Sequence, residues 1–544
     1  TTTVTETVKV EETPVTIPDS ATIAKAWEDY LTPAEQHKML ALENGIWNEE
    51  MTMWMEPGAE PMKNTMTAVS KMIYGDRYQE TVHKGDFMGM PFEGKSTLAF
   101  NKASQEYTST WIDNMSTGIM VISGKYDEAT KTINFSGTTV DPVTKKEKTI
   151  RETYQSAKRA FTSRYPKVQF AWSYKTNYIN AVCNVFHQEG SWGEVVSGFE
   201  YKKALKNNVP GTKIIFNGPD KTVEDLTSAI QNDSLIHIDH LDELYLIKEL
   251  ALELKKRPRV AIRVNMDTGV YPIWDRFGFN YENGQAWDAI NKIMLNDAMD
   301  LVGLHTHIGT FMLSPNAYGI AAAKLSELAL AVKNKFKKTI QYLDLGGGFA
   351  SKNTLKGSYL QGADYVPTFD QYAEAISTAI LNAGFVENEL PLLILESGRS
   401  LIDSAGYLLG SVISNKRLSD GRRATIMDFG VNILFTSFWY DHKISPAQEF
   451  SQYTEDAVLY GPLCMNIDVI RENVTLPPLK RDDHVVVHAV GAYNMTQWMQ
   501  FIALRPAVVM IDMNQKPHVI RNKETLGSIE EGEQMPEYLK SFKL

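Results

Sequence analysis

From residue 149 to 404, short apolar runs alternate with stretches whose apolar residues recur every three to four positions. The runs centre near Val168, Glu194, Lys213, Leu235, Arg259, Leu301, Tyr342 and Leu392, with helical stretches such as 222–232, 318–336 and 369–383 between them. Eight repeats of strand then helix, over a length near the ~250 residues of a closed (β/α)8 barrel, predict that α/β fold, with a doubly wound open sheet as the alternative. The front of the chain reads differently. Over 21–148 a short helical stretch leads into brief alternating segments at 65–74, 78–83, 96–100, 106–112 and 118–123, separated by Gly or Asn/Asp turns, which predicts an antiparallel β-barrel or sandwich. From Ala405 the pattern is strands without long helices, at 407–414, 423–429, 484–488 and 506–520, so a β domain is expected over 405–544. Residues 1–20, rich in Thr, Val and Glu, are expected to be a disordered tail.

Composition narrows the possibilities. The net charge of −11 argues against a nucleic-acid surface, and no apolar run approaches a membrane span. With only two cysteines, Cys183 and Cys464, a disulfide framework is not the stabilising strategy, and a reducing, cytoplasmic setting fits.

The candidate chemistry sits at the predicted strand ends. The first barrel strand delivers Lys175 in FAWSYKTN, and a lysine held among apolar neighbours at the open face of a barrel can lose its proton and form an imine. A solvated edge lysine is the plainer alternative. The sixth strand runs into HTHIGT, where a histidine can lie against a planar ring and Thr310 can donate to phosphate, a core histidine with satisfied hydrogen bonds being the plainer reading. His305 with His307 also invites a zinc reading, but no third ligand has supporting spacing, so no metal is expected. The seventh strand ends in Gly346, Gly347 and Gly348, whose N–H groups can converge on an anion, and the eighth delivers Glu396, Ser397, Gly398 and Arg399. Glu396 and Arg399 could simply pair. Taken together, a lysine for an aldehyde, a carboxylate for a ring nitrogen and a set of phosphate donors describe pyridoxal 5′-phosphate.

These motifs resemble the fold-type III pyridoxal-phosphate decarboxylases, the diaminopimelate, ornithine and arginine decarboxylase family, over roughly 150–539. The resemblance implies an alanine-racemase-like TIM barrel with a C-terminal β domain. It makes Lys175 the cofactor-bearing lysine, His307 the ring-stacking residue, Thr310 the counterpart of a family serine, and Gly346 to Gly348 the phosphate loop. ESGR matches a family EPGR, placing Glu396 at the pyridine nitrogen and Gly398 and Arg399 by the phosphate. GPLC matches GPxC, whose Cys464 would enter the active site of the opposite subunit of a homodimer, and GAY brings Tyr493 to the cofactor. The implied activity is α-decarboxylation of an amino acid; a racemase or epimerase, or a non-catalytic pyridoxal-phosphate-binding regulatory protein, are the alternatives on this barrel. Met465 stands where the family commonly has an acid for a distal amine. That favours a modified or conjugated substrate, of the siderophore- or antibiotic-pathway kind, over a free diamino acid, although Asp468 could compensate.

The front segments HKMLALENGIW, MEPGAEP and YTSTWIDNMSTGIM resemble a lipocalin-like bacterial domain of unknown function, which implies a fold and no activity. Its dense Met and Trp residues could line a ligand pocket or fill the barrel themselves. The junction of the two modules is expected at Lys148 and Thr149.

Overall fold

The computed structural model describes residues 19–53, 62–87, 90–115, 119–128, 131–137, 150–448, 450 and 453–540. The tail expected before Asp19 and the junction expected at Lys148 lie outside them. The chain forms two compact units, Thr1–Lys146 and Glu147–Leu544.

In the first unit, helices Ser20–Leu31 and Glu35–Ala41 precede a seven-stranded antiparallel meander: β1 (Gly45–Met53), β2 (Met62–Ile73), β3 (Tyr78–Phe87), β4 (Met90–Asn101), β5 (Glu106–Asp113), β6 (Met120–Asp127) and β7 (Thr132–Gly137). The first helix starts inside the expected tail because Asp19 caps it, accepting from the Thr22 N–H at 2.8 Å. Leu40, Phe100 and Tyr107 form the buried apolar centre of this unit.

In the second unit, β8 (Val168–Ser173), β9 (Trp192–Val195), β10 (Ile214–Phe216), β11 (Leu235–Ile238), β12 (Arg259–Asn265), the short side strand β13 (Phe279–Asn280), β14 (Asp300–His305), β15 (Tyr342–Asp344) and β16 (Leu392–Leu395) run parallel. Pairing of β8 with β16, and of β11 with β12, closes eight of them into a barrel and removes the open-sheet alternative. The strands are short and almost wholly buried because helices cover their outer sides. Helices are stopped and started by local chemistry. Thr222 and Asp225 form a capping box on Val223–Gln231, Pro315 opens Pro315–Phe336, and Lys337 ends it in the left-handed region at φ 57°.

Side-chain alternation then decides which residues reach the site. Phe170, Trp172, Val195, Phe216, Ile238, Leu343 and Leu395 join the core under the helices, whereas Ala171, Ile215, Tyr342 and Ile394 belong to a separate apolar cluster inside the barrel. The same parity turns Glu194, His237, Asp344 and Glu396 inward.

After the barrel come β17 (Tyr407–Arg417), β18 (Arg423–Met427), β19 (Ile444–Pro446), β20 (Glu455–Tyr460), β21 (Val469–Leu476) and β22 (His484–His488), forming a six-stranded sheet with its own core. A final hairpin, β23 (Val508–Ile511) and β24 (Pro517–Arg521), packs Val508, Met510 and Ile520 back onto the barrel core. No helix among the described residues is long and apolar enough to cross a membrane.

Candidate active site

β8 hands its chain to a single 3-10 turn, Tyr174–Thr176, which carries Lys175. The turn is fixed from the C-terminal region: Tyr493 N–H donates to the Thr176 carbonyl at 2.8 Å, and the Thr496 hydroxyl donates to the Lys175 carbonyl at 2.7 Å. Asn177 Nδ2 in turn donates to the Gly491 carbonyl at 3.1 Å. Gly398 lies against the same turn, where a Cβ would run into Thr176 Oγ1.

Lys175 is not held among apolar neighbours, as its strand suggested. Its Nζ donates to both oxygens of Glu194 at 2.9 Å, and Glu194 is fully buried. Burial works to lower the Lys175 pKa, but the charges of Glu194, Glu396 and Tyr493 outweigh it and raise it above the usual lysine range. The correction comes from parity: β9 points Glu194 inward, so the lysine meets a carboxylate.

From there a buried polar network crosses the barrel. Asn217 Nδ2 donates to Glu194 Oε1 at 3.0 Å and to Glu396 Oε1 at 2.6 Å, linking the lysine to the eighth strand. His305 Nε2 lies 3.4 Å from Glu396 Oε2. The His237 ring stands 4.7 Å from His305, with Nε2 at 2.9 Å from the Tyr342 hydroxyl. Burial first, then neighbouring charges, hold both imidazoles well below their ordinary pKa. Asp344 is driven well above the carboxylate range, by burial and then by the charge of Glu396. The one grouping among the described residues that could take a cation is His237, His305 and Glu396. His307, the partner suggested for a zinc reading, is not in it.

His307 Nδ1 accepts from the Gly347 N–H at 3.0 Å, and Trp274 meets its ring edge-on at 5.6 Å. Burial, then Arg263 and Lys175, push its pKa well below normal, so it is a neutral imidazole with the proton on Nε2. β14 ends at His305, which leaves His307 and Thr310 on the loop beyond it. The glycine loop is crowded: Gly346 and Gly348 have φ of +64° and +93°, and a Cβ at Gly347 would strike the Glu396 carbonyl. Gly346 N–H donates to Asp344 Oδ1 at 2.8 Å.

Arg399 does not pair with Glu396. Its Nη2 donates to Thr310 Oγ1 at 2.8 Å and its Nη1 to the Tyr440 hydroxyl, and the guanidinium stands 4.7 Å from the Tyr493 ring centroid, with Phe311 and Trp439 also around it. Arg399 Nε and the hydroxyls of Thr176, Ser397 and Ser400 are buried with no hydrogen-bond partner among the described residues. Orphaned buried donors of this kind require acceptors, and a phosphate brings several. With an amine for an aldehyde and a carboxylate for a ring nitrogen on the same rim, the residues present fit pyridoxal phosphate.

Cys464 stands exposed on the turn between β20 and β21, and no hydrogen bond among the described residues ties it to Lys175. Asp468 cannot compensate for Met465. It is buried, accepting from the Val431 and Leu463 N–H groups at 2.8 and 2.7 Å, and it braces the turn that carries Cys464.

Comparison with known proteins agrees with this arrangement. Residues 147–403 match the pyridoxal-dependent decarboxylase, pyridoxal binding domain, and residues 32–165 match a protein family of unknown function, DUF1579. The diaminopimelate decarboxylase of Bacillus subtilis is 28% identical over 395 residues, covering 70% of this chain and 88% of that protein. That of Methanocaldococcus jannaschii is 29% identical over 382 residues, covering 68% and 84%. The crystal structure of the M. jannaschii enzyme superposes with a TM-score of 0.66 at 28% identity, over 72% of this chain and 91% of that one. With a lysine, a carboxylate and a set of buried hydrogen-bond donors on one barrel rim, residues 147–403 belong to the pyridoxal-dependent decarboxylase, pyridoxal binding domain family.

Proposed function

We propose that this decarboxylase acts on an amino acid whose far end is not a free ammonium group, and that residues 405–544 complete its active site in a homodimer. The observation that carries the chemistry is the continuous chain of contacts from Lys175 through Glu194 and Asn217 to Glu396. When bound, pyridoxal phosphate supplies a conjugated ring that accepts the electron pair left as carbon dioxide departs. Lys175 would hold its aldehyde carbon, and His307 one face of its ring. Arg399, Thr310, Tyr493, Gly398 and the loop of Gly346, Gly347 and Gly348 would surround its phosphate. Glu396 would keep the proton on the ring nitrogen, since an opposite charge at contact distance favours the charged form. A racemase would do without that proton, so Glu396 speaks against the racemase reading. Glu194 keeps a transferable proton at Lys175 Nζ, and Cys464 of the opposite subunit would return one to the substrate α-carbon.

Substrate choice rests on what adjoins Cys464. Met465 follows it, and Asp468 is engaged by backbone amides, so neither offers a carboxylate to a distal ammonium. A conjugated or modified amino acid suits such a site. Similarity to diaminopimelate decarboxylases favours diaminopimelate as the second reading. Free thiols at Cys183 and Cys464 support a reducing, cytoplasmic setting. The test is a CO2-release screen of diaminopimelate, lysine and ornithine against citryl- and carrier-linked amino acids. Efficient turnover of a free diamino acid would overturn the conjugated reading.

A further inference from the structure

The N-terminal unit carries a cavity of about 330 Å³ on one face of its sheet, lined by side chains from β1 to β4 and by Glu43 just before them. One stretch of this sheet is ordinary core: Phe100 and Tyr107, paired across β4 and β5, pack on Leu40 of the helix Glu35–Ala41. Farther along, the same alternation becomes polar. Ser70, Thr81 and Ser96 form a row across β2, β3 and β4, and Ser70 bonds Thr81 at 2.8 Å. The next row places Trp47 and His83 on either side of Ala68. Glu49 lies 2.8 Å from His83 Nδ1 through one oxygen, with its side chain 38% exposed. A sheet filling itself for stability would continue with apolar side chains here, because polar groups on an inner face contribute little net stability even when bonded.

The lining also has a definite charge and a definite kind of surface. Among the described residues it holds Glu43 and Glu49 and no lysine or arginine. The Trp47 indole N–H is engaged by the Glu43 carbonyl at 2.9 Å, and that of Trp111, whose ring lies 4.9 Å from His83, by Asp113 at 2.7 Å. The Trp47 indole therefore offers a ligand its ring rather than its donor, and Trp111 backs the lining through its contact with His83. Carboxylates, electron-rich rings and hydroxyls within one small volume are complementary to a positive charge on a compact organic body. We infer that the N-terminal unit is a binding site for a small organic ammonium ion, seated between Glu49 and Trp47.

Choline is a suitable probe, because its quaternary nitrogen cannot form an imine and so does not compete at Lys175. Calorimetric titration of the full-length holoenzyme should show one saturable choline site, with the neutral isostere 3,3-dimethylbutan-1-ol bound at least about tenfold more weakly. Glu49→Gln should weaken choline binding about tenfold or more while CO2 release and the thermal midpoint stay unchanged. Trp47→Leu, at a half-exposed indole, provides a second variant with the same expected loss. Absence of saturable binding, equal binding of the neutral isostere, or choline affinity retained in both variants would overturn the assignment.

Discussion

Lys175 shares its ammonium with a single buried carboxylate, and that determines what replacing either partner does. Lys175→Ala should abolish both the near-visible absorbance of the holoenzyme and CO2 release, and a band that persists would show that another amine carries the cofactor. Glu194→Gln should act in a subtler way. Glu194 is a main force raising the Lys175 pKa, so its loss lowers that pKa and leaves more free amine at neutral pH. Apoenzyme should then take up pyridoxal phosphate about tenfold faster for each unit of pKa lost, seen as absorbance growth in stopped flow. Glu396→Gln should keep the cofactor but reduce decarboxylation by about 10²-fold, read from initial rates of CO2 release. Lys175, His307, Glu396 and Arg399 were legible in the sequence because each stands in a short motif of unusual composition. Glu194, Asn217, Asp344 and Tyr440 were not. Glu194, Asn217 and Asp344 are single polar residues in or just beyond short apolar strands, and whether they face the site is decided by parity and register, which emerge only on closing the barrel, whereas Tyr440 comes from a turn of the β domain, far along the chain.

At the scale of elements, the join between the last barrel strand and the β domain is a small buried polar knot. Asp403 accepts from the Ser351 hydroxyl at 2.5 Å, Asn353 Nδ2 at 2.8 Å and the Ala492 N–H at 3.2 Å. Burial, offset only in part by those donors and by Arg399, pushes its pKa up from 3.8 to about 6. A carboxyl whose folded pKa is raised contributes stability that is complete below the unfolded value and lost as pH climbs through the folded one. The loss should fall between about pH 4 and pH 6, on the order of 3 kcal/mol. Urea midpoints measured across that window should decline for the native chain and stay flatter for Asp403→Asn. The eight barrel strands were all readable from apolar runs. β1, with Glu49 and Glu50, and β7, a six-residue strand, escaped because their patterns are too polar or too brief to stand out. β20 and β21 escaped similarly, their apolar residues being interrupted by charged ones, Glu455 and Asp456 in the first and Arg471 and Glu472 in the second.

For the whole molecule, an exposed Cys464 on a braced turn suits a residue that acts across a subunit boundary. Mixing Lys175→Ala protein with Cys464→Ala protein, each inactive alone, should restore about a quarter of native activity if the subunits reassort and share sites. Recovery near zero would place Cys464 outside the partner's site. The turn bearing Lys175 is clamped by Tyr493 and Thr496, more than three hundred residues downstream. During synthesis the ribosome must therefore release the chain as far as Thr496 before the reactive amine settles into its working posture. Nascent fragments that stop short of the GAY segment should remain colourless and deaf to added vitamin, so cofactor loading waits for the segment that holds Tyr493 and Thr496.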